Sequence, residues 1–125
     1  MSDSTTTVAD LRAIIRDFVD ERDWQQFHAP KNLSMALAIE AAELMEHFQW
    51  LDVDASRQLP DDAERLAAAA EELADVLGYG LALANELGID VSETIRAKMV
   101  KNAQKYPAGE FRGRYGRDDP NYQGK

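Results

Sequence analysis

Apolar residues recur at spacings of three and four from about residue 8 to residue 105, and nowhere do they alternate with polar ones long enough to make a half-buried strand. No Asn-Gly or Asp-Gly pair marks a tight hairpin. A chain with only the helical period has to bury helix faces against one another, so the expected fold class is all-α. Four helices are read, over residues 8–23, 33–51, 61–87 and 90–105. The first has Val8, Leu11, Ile14, Ile15, Phe18 and Val19 on one face, with Ser and Thr upstream to cap it. Asn32 or Ser34 is the expected cap of the second. The third is Ala-rich, which lets neighbours approach closely, and Gly88 closes it. Asp90 with Glu93 three residues later opens the fourth, and Pro107 stops it. The reading is one domain over residues 1–107 followed by an extended tail over 108–125.

The helices carry acids where core residues belong. Glu40 and Glu43 interrupt the apolar stripe of helix two, and Glu72 and Asp75 do the same on helix three. Each pair is spaced by three, so its members lie on adjacent positions of one face. Four carboxylates between two helices raise one another's pKa unless a cation neutralises them. Oxygen ligands select hard cations, and Mg²⁺, which keeps waters and takes few carboxylates plus phosphates, fits better than Zn²⁺. A carboxylate-bridged di-iron bundle would need Glu-x-x-His on two helices. The only histidines are His28, in a loop, and His47, preceded at three by Leu44, so that motif is absent.

Charge narrows the partners. Twenty-three acidic residues against 14 Lys and Arg give a net charge of −9, which argues against nucleic-acid and anionic-membrane binding and suits divalent cations. There is no cysteine, so thiolate metal sites and disulfides are excluded. No stretch is apolar enough to span a membrane, and "MSDSTTTVADLR" has no secretory pattern, so a cytoplasmic location is expected. Several amphipathic helices on so short a chain offer more apolar face than one small bundle buries, and a homo-oligomer is expected.

Aromatics flank the acids: Trp24 and His28 follow helix one, Phe48 and Trp50 end helix two, and Tyr79 stands one turn beyond Asp75. Flat rings beside a metal-binding face suit a nucleobase, which stacks at roughly 1 to 3 kcal/mol. Helix four brings Lys98 and Asn102 on one face, with Lys101, Lys105 and Tyr106 nearby. Taken together these describe a nucleoside polyphosphate site.

The runs "ERDWQQFHAPKNLSMALAIEAAELMEHFQW", "EELADVLGYGLALA" and "KMVKNAQKYP" resemble the all-α MazG-like nucleotide pyrophosphohydrolases, most closely their dCTP pyrophosphatase branch. The broader family often reads E-E-x-x-E, and Ile39 stands here in place of the first Glu. The resemblance implies an oligomeric four-helix bundle, dimer or tetramer, that hydrolyses a dNTP, dCTP-like by preference, to dNMP and pyrophosphate as a nucleotide-pool house-cleaning enzyme. It implies Mg²⁺, with Mn²⁺ as a substitute, on Glu40, Glu43, Glu72 and Asp75. It further implies a base pocket of Trp24, His28 and Trp50, with sugar and phosphate contacts from Tyr79, Lys98, Asn102 and Tyr106. The alternatives are a dUTP or phosphoribosyl-ATP pyrophosphohydrolase on the same scaffold, and a non-enzymatic helical interaction module whose acids are solvated.

Overall fold

The computed structural model describes residues 1–114 and is all-helical over them. In chain order the helices are α1 (Val8–Glu21), α2 (Pro30–Glu46), α3 (Val53–Gln58), α4 (Ala63–Leu87), α5 (Val91–Lys105) and α6 (Ala108–Phe111), with 3₁₀ turns at Gln25–Phe27 and Leu59–Asp61. None of the described helices is long and apolar enough to cross a membrane. Contacts divide the chain into two compact units, Met1–Ile89 and a second that begins at Asp90.

In the first unit, helix starts follow local chemistry. Thr7 caps α1 in a reciprocal box: its hydroxyl oxygen accepts from the Asp10 N–H at 3.1 Å, and the Asp10 carboxylate accepts from the Thr7 N–H at 2.9 Å. The Thr7 N–H first, and then the Thr7 side chain, hold the Asp10 carboxyl below its ordinary value. Asp62 caps α4 by accepting from the Arg65 N–H, and Gly88 ends it at φ 65°, in the left-handed region. In the second unit Asp90 caps α5 by accepting from the Glu93 N–H at 2.8 Å.

The core of the first unit is thin. Helix α2 packs along α4, and α1 lies on α4 as well. Buried apolar side chains are Val19, Leu33, Leu59, Ala69, Ala82 and Ala84, of which only Leu33, at 2% exposure, is fully enclosed. Three of the six are alanines of α4, so the helices meet over methyl groups and leave larger residues uncovered. Ile39 and Leu77, each 59% exposed, flank the acid positions of α2 and α4.

Four expectations are corrected. The polar stretch after α2 holds a further helix, α3, capped by Asp52, whose carboxylate accepts from the Ala55 N–H at 2.7 Å. Helix α2 starts at Pro30 with Ala29 as N-cap and no side-chain cap, and it ends at Glu46, before the aromatic pair Phe48 and Trp50. Proline at the first position removes one of the unsatisfied N–H groups and has its φ already set, which suits a helix start, and Asn32 and Ser34, now inside the helix, bond elsewhere. Asn32 donates to the Phe27 carbonyl and Ser34 to that of Lys31. A short helix, α6, then occupies the first residues assigned to the extended tail. The rest of that tail, residues 115–125, lies outside the described residues.

Candidate active site

Helices α2 and α4 bring the two acid pairs together. Carboxylate oxygens of Glu40, Glu43 and Glu72 lie within 4.8 Å of one another, and all three residues are half-buried. One oxygen of Glu40 and one of Glu72, Oε2 in each case, is buried without a hydrogen-bond partner. A buried acceptor left unpaired costs about 1 to 3 kcal/mol, and more when charged. None of the four acids is paired with a Lys or Arg among the described residues, where the ion pairs are Arg22 with Glu21 and Arg57 with Asp54.

The electrostatics follow from this crowding. Glu40 is held above the ordinary glutamate range, first because its protonated form shares a hydrogen bond with Glu43, then by burial and by the charges of Glu43, Asp75 and Glu72. Glu72 is also raised, chiefly by burial, then by Glu43 and Asp75. The imidazole of His47 pulls Glu72 the other way. Asp75 is more exposed, lies outside the close triplet and acts on it through charge. Unpaired oxygens, mutual repulsion and an all-oxygen donor set fit a hard divalent cation.

Beside the triplet a cavity of about 350 Å³ opens between α1, the 3₁₀ turn and α4. Trp24, His28, Asp75 and Tyr79 line it together with Ile15, Phe18, Val19, Ala74, Gly78 and Ala82. Asp23, at φ 52°, turns the chain back after α1, and the Trp24 N–H then donates to the Val19 carbonyl at 3.1 Å. That sets the Trp24 ring edge-on to Phe18, with centroids 5.7 Å apart. On α4, Ala74, Gly78 and Ala82 share one face, and their small size creates the hollow. Asp75 belongs to the cavity wall and also acts on the triplet, so aromatic and anionic surfaces adjoin.

Of the other expected residues, one belongs to the first unit and three to the second. Trp50 follows α2 with 88% of its surface exposed and is not in the cavity wall. Lys98, Asn102 and Tyr106 belong to the second unit. There the Asn102 carbonyl accepts the Tyr106 N–H at 2.8 Å, and the Tyr106 ring meets Phe111 edge-on at 5.2 Å. Three residues carry more than the sequence suggested. His47 is four beyond Glu43 and so shares its face, a spacing that was readable once α2 was known to present that face to α4. Ile15 and Phe18, read as core of α1, are walls of the cavity.

Similar proteins are known. The MazG-like family matches residues 35–115. The chain is 44% identical over 108 residues to a Mus musculus protein named dCTP pyrophosphatase 1, covering 86% of this chain and 63% of that relative. It is 45% identical over 103 residues to the Homo sapiens protein of the same name, covering 82% and 60%. The chain thus spans about three fifths of the length of these curated relatives. A solved structure of a pyrophosphatase from Archaeoglobus fulgidus superimposes with a TM-score of 0.75 at 38% identity, covering 86% of this chain and 98% of that one.

Proposed function

The chain belongs to the MazG-like family, and on that premise we propose that it is an enzyme, a Mg²⁺-dependent pyrophosphohydrolase that converts a dNTP, dCTP by preference, to dNMP and pyrophosphate. The observation that carries the reading is the adjacency of the Glu40, Glu43 and Glu72 triplet, with its two unpaired oxygens, to the aromatic cavity that Asp75 also lines. Acids turned to solvent, as in a helical interaction module, would not have oxygens buried between two helices. Glu40, Glu43, Glu72 and Asp75 would hold Mg²⁺, with Mn²⁺ as a substitute. A divalent ion bound there would neutralise charge on the phosphates and make a water more acidic. Glu43, between the acids of both helices, would accept a hydrogen bond from the water and orient it to attack the α-phosphorus, the bond to pyrophosphate breaking as the new P–O bond forms. Trp24 takes the base together with Trp50, His28 offers a polar atom to its edge, and Tyr79, with Lys98, Asn102 and Tyr106 of the second unit, is assigned to the sugar and phosphates. The deciding experiment is pyrophosphate release from each dNTP with Mg²⁺ present. No release from any of them removes the proposal.

Substrate choice yields a separate expectation. Stacking tolerates any base, so hydrogen bonds to a buried edge carry the discrimination. A group that accepts from the cytosine amino group is left unpaired against uracil or thymine, at a cost of about 1 to 3 kcal/mol. We expect kcat/KM for dCTP to exceed that for dTTP by about tenfold or more. Equal values would remove the cytosine preference and leave the pyrophosphohydrolase reading intact.

A homo-oligomer, dimer or tetramer, is part of the same proposal. Ile39, Leu77 and Trp50 are exposed around a core that encloses one large side chain, and such surface calls for a partner. Assignment of Trp50 to the base pocket then requires a second copy to bring it there. Light scattering at micromolar concentration is expected to give at least twice the chain mass, and Trp50→Ala to raise KM more than it lowers kcat. A monomer mass, or an unchanged KM, refutes the respective claim.

A further inference from the structure

Outside the acids and the cavity, the most heavily bonded side chains of the first unit tie α1 to the end of α4. Arg12 Nε donates to Asn85 Oδ1 at 2.9 Å, its Nη2 to the Ala84 carbonyl at 3.2 Å, and its Nη1 to the Ile89 carbonyl. Asn85 Nδ2 donates back to the Arg12 carbonyl at 3.2 Å, and Arg16 Nη2 reaches Asn85 Oδ1 at 3.4 Å. The Ala84 carbonyl already accepts from the Gly88 and Ile89 N–H groups, so the guanidinium adds a further donor there and places positive charge at the negative end of the α4 dipole. Among the described residues, every side-chain hydrogen bond that joins α1 to α4 runs through Arg12, Arg16 and Asn85.

These bonds sit in register with the cavity. Arg12, Ile15 and Val19 follow one face of α1, and Asn85, Ala82 and Gly78 follow one face of α4 in the opposite direction. The first member of each series forms the latch, and the other four residues line the cavity. A Cβ built on Gly78 would stand 3.7 Å from Ile15 Cδ1, so the two series face each other along their length. Packing does not fix the gap between the walls, because the gap is the cavity itself, and Leu11, Ile14 and Phe18 on α1 are only partly covered. A directional polar pair specifies register where apolar contact is loose.

We propose that Arg12 and Asn85 are positioning residues: they hold α1 in the register that shapes the base cavity, and so supply substrate affinity without touching substrate. The proposal rests on the pyrophosphohydrolase reading for the identity of the ligand, and on hydrogen-bond geometry for the latch. The test compares Asn85→Leu, which loses all three side-chain bonds, with Asn85→Asp, which keeps an acceptor for Arg12 and Arg16. Asn85→Leu is expected to raise KM for dCTP about tenfold with kcat within about twofold of wild type, and Asn85→Asp to hold KM within about threefold. If Asn85→Leu does not fold, Arg12→Lys, which keeps the charge and loses the fork, carries the same comparison with a smaller rise.

A second readout needs no turnover. In a Trp50→Phe background the remaining tryptophan is Trp24, in the cavity wall, and Asn85→Leu is expected to shift its emission to the red and increase its quenching by acrylamide. An unchanged Trp24 signal overturns the latch, as does a fall in kcat at unchanged KM or an Asn85→Asp variant no better than Asn85→Leu. Wild-type protein that releases pyrophosphate from no dNTP overturns the pyrophosphohydrolase reading instead, and the Trp24 signal then decides the latch by itself.

Discussion

Replacing Glu43 by glutamine, or Asp75 by asparagine, is expected to lower kcat/KM for the preferred dNTP by about a thousandfold or more, while the folded chain in metal-free buffer melts no lower than wild type. The two halves of this expectation have one cause. Glu43 raises both Glu40 and Glu72, and Asp75 adds its charge to each. Removing either charge relieves repulsion that the folded state otherwise bears, and each amide is nearly isosteric with the acid it replaces. What is lost is an anionic ligand. Glu46 supplies the control, since it lies three beyond Glu43 on the same helix but is exposed and outside the triplet. Glu46→Gln should stay within about threefold of wild type. Turnover by Glu43→Gln or Asp75→Asn within a few-fold of wild type would sink the assignment of the acids, whatever the substrate proves to be.

The acids were legible because helical spacing converts directly into position. Glu40 with Glu43, and Glu72 with Asp75, share faces on any α-helix, and the two helices that carry them pack together. The Thr7, Asp62 and Asp90 caps and Gly88 obey rules equally local. The start of α2 escaped because Pro30 dispenses with the side-chain cap that Asn32 or Ser34 was expected to provide. Helix α3 escaped because its six residues have too little apolar period to show, and Asp52 alone marks its start. The cavity was half legible. Trp24, His28 and Tyr79 were singled out as aromatics near acids, whereas the hollow they enclose depends on Gly78 facing Ile15 across two helices, which no local rule reports. Trp50 marks a further boundary, since its spacing says nothing of whether its own chain covers it.

In buffer stripped of divalent ions, the folded chain is expected to lose stability as pH rises toward neutrality, and Mg²⁺ is expected to abolish most of that loss. Glu40 and Glu72 both titrate above the ordinary glutamate value of 4.5 in the folded state. Between that value and their raised folded values the native chain binds more protons than the unfolded one, so stability falls with rising pH across this window and is level above it. Asp10 works in the opposite sense. Its folded value is lowered from 3.8, so its stabilisation is complete above that value and is lost only as pH falls through the lowered one, below the window of the glutamates. A cation that takes the ionised triplet displaces its protons and binds only the folded state, which raises Tm at neutral pH by roughly 5 °C or more once the ion is about a hundredfold above its Kd. Melting curves between pH 4.5 and 7.5, with EDTA and with Mg²⁺, measure both effects. Glu40→Gln serves as the variant in which the slope is shallower and the Mg²⁺ response smaller. A Tm that ignores Mg²⁺ in the wild type at neutral pH would show that the unpaired oxygens of Glu40 and Glu72 face something other than a metal, and the catalytic proposal would fall with them.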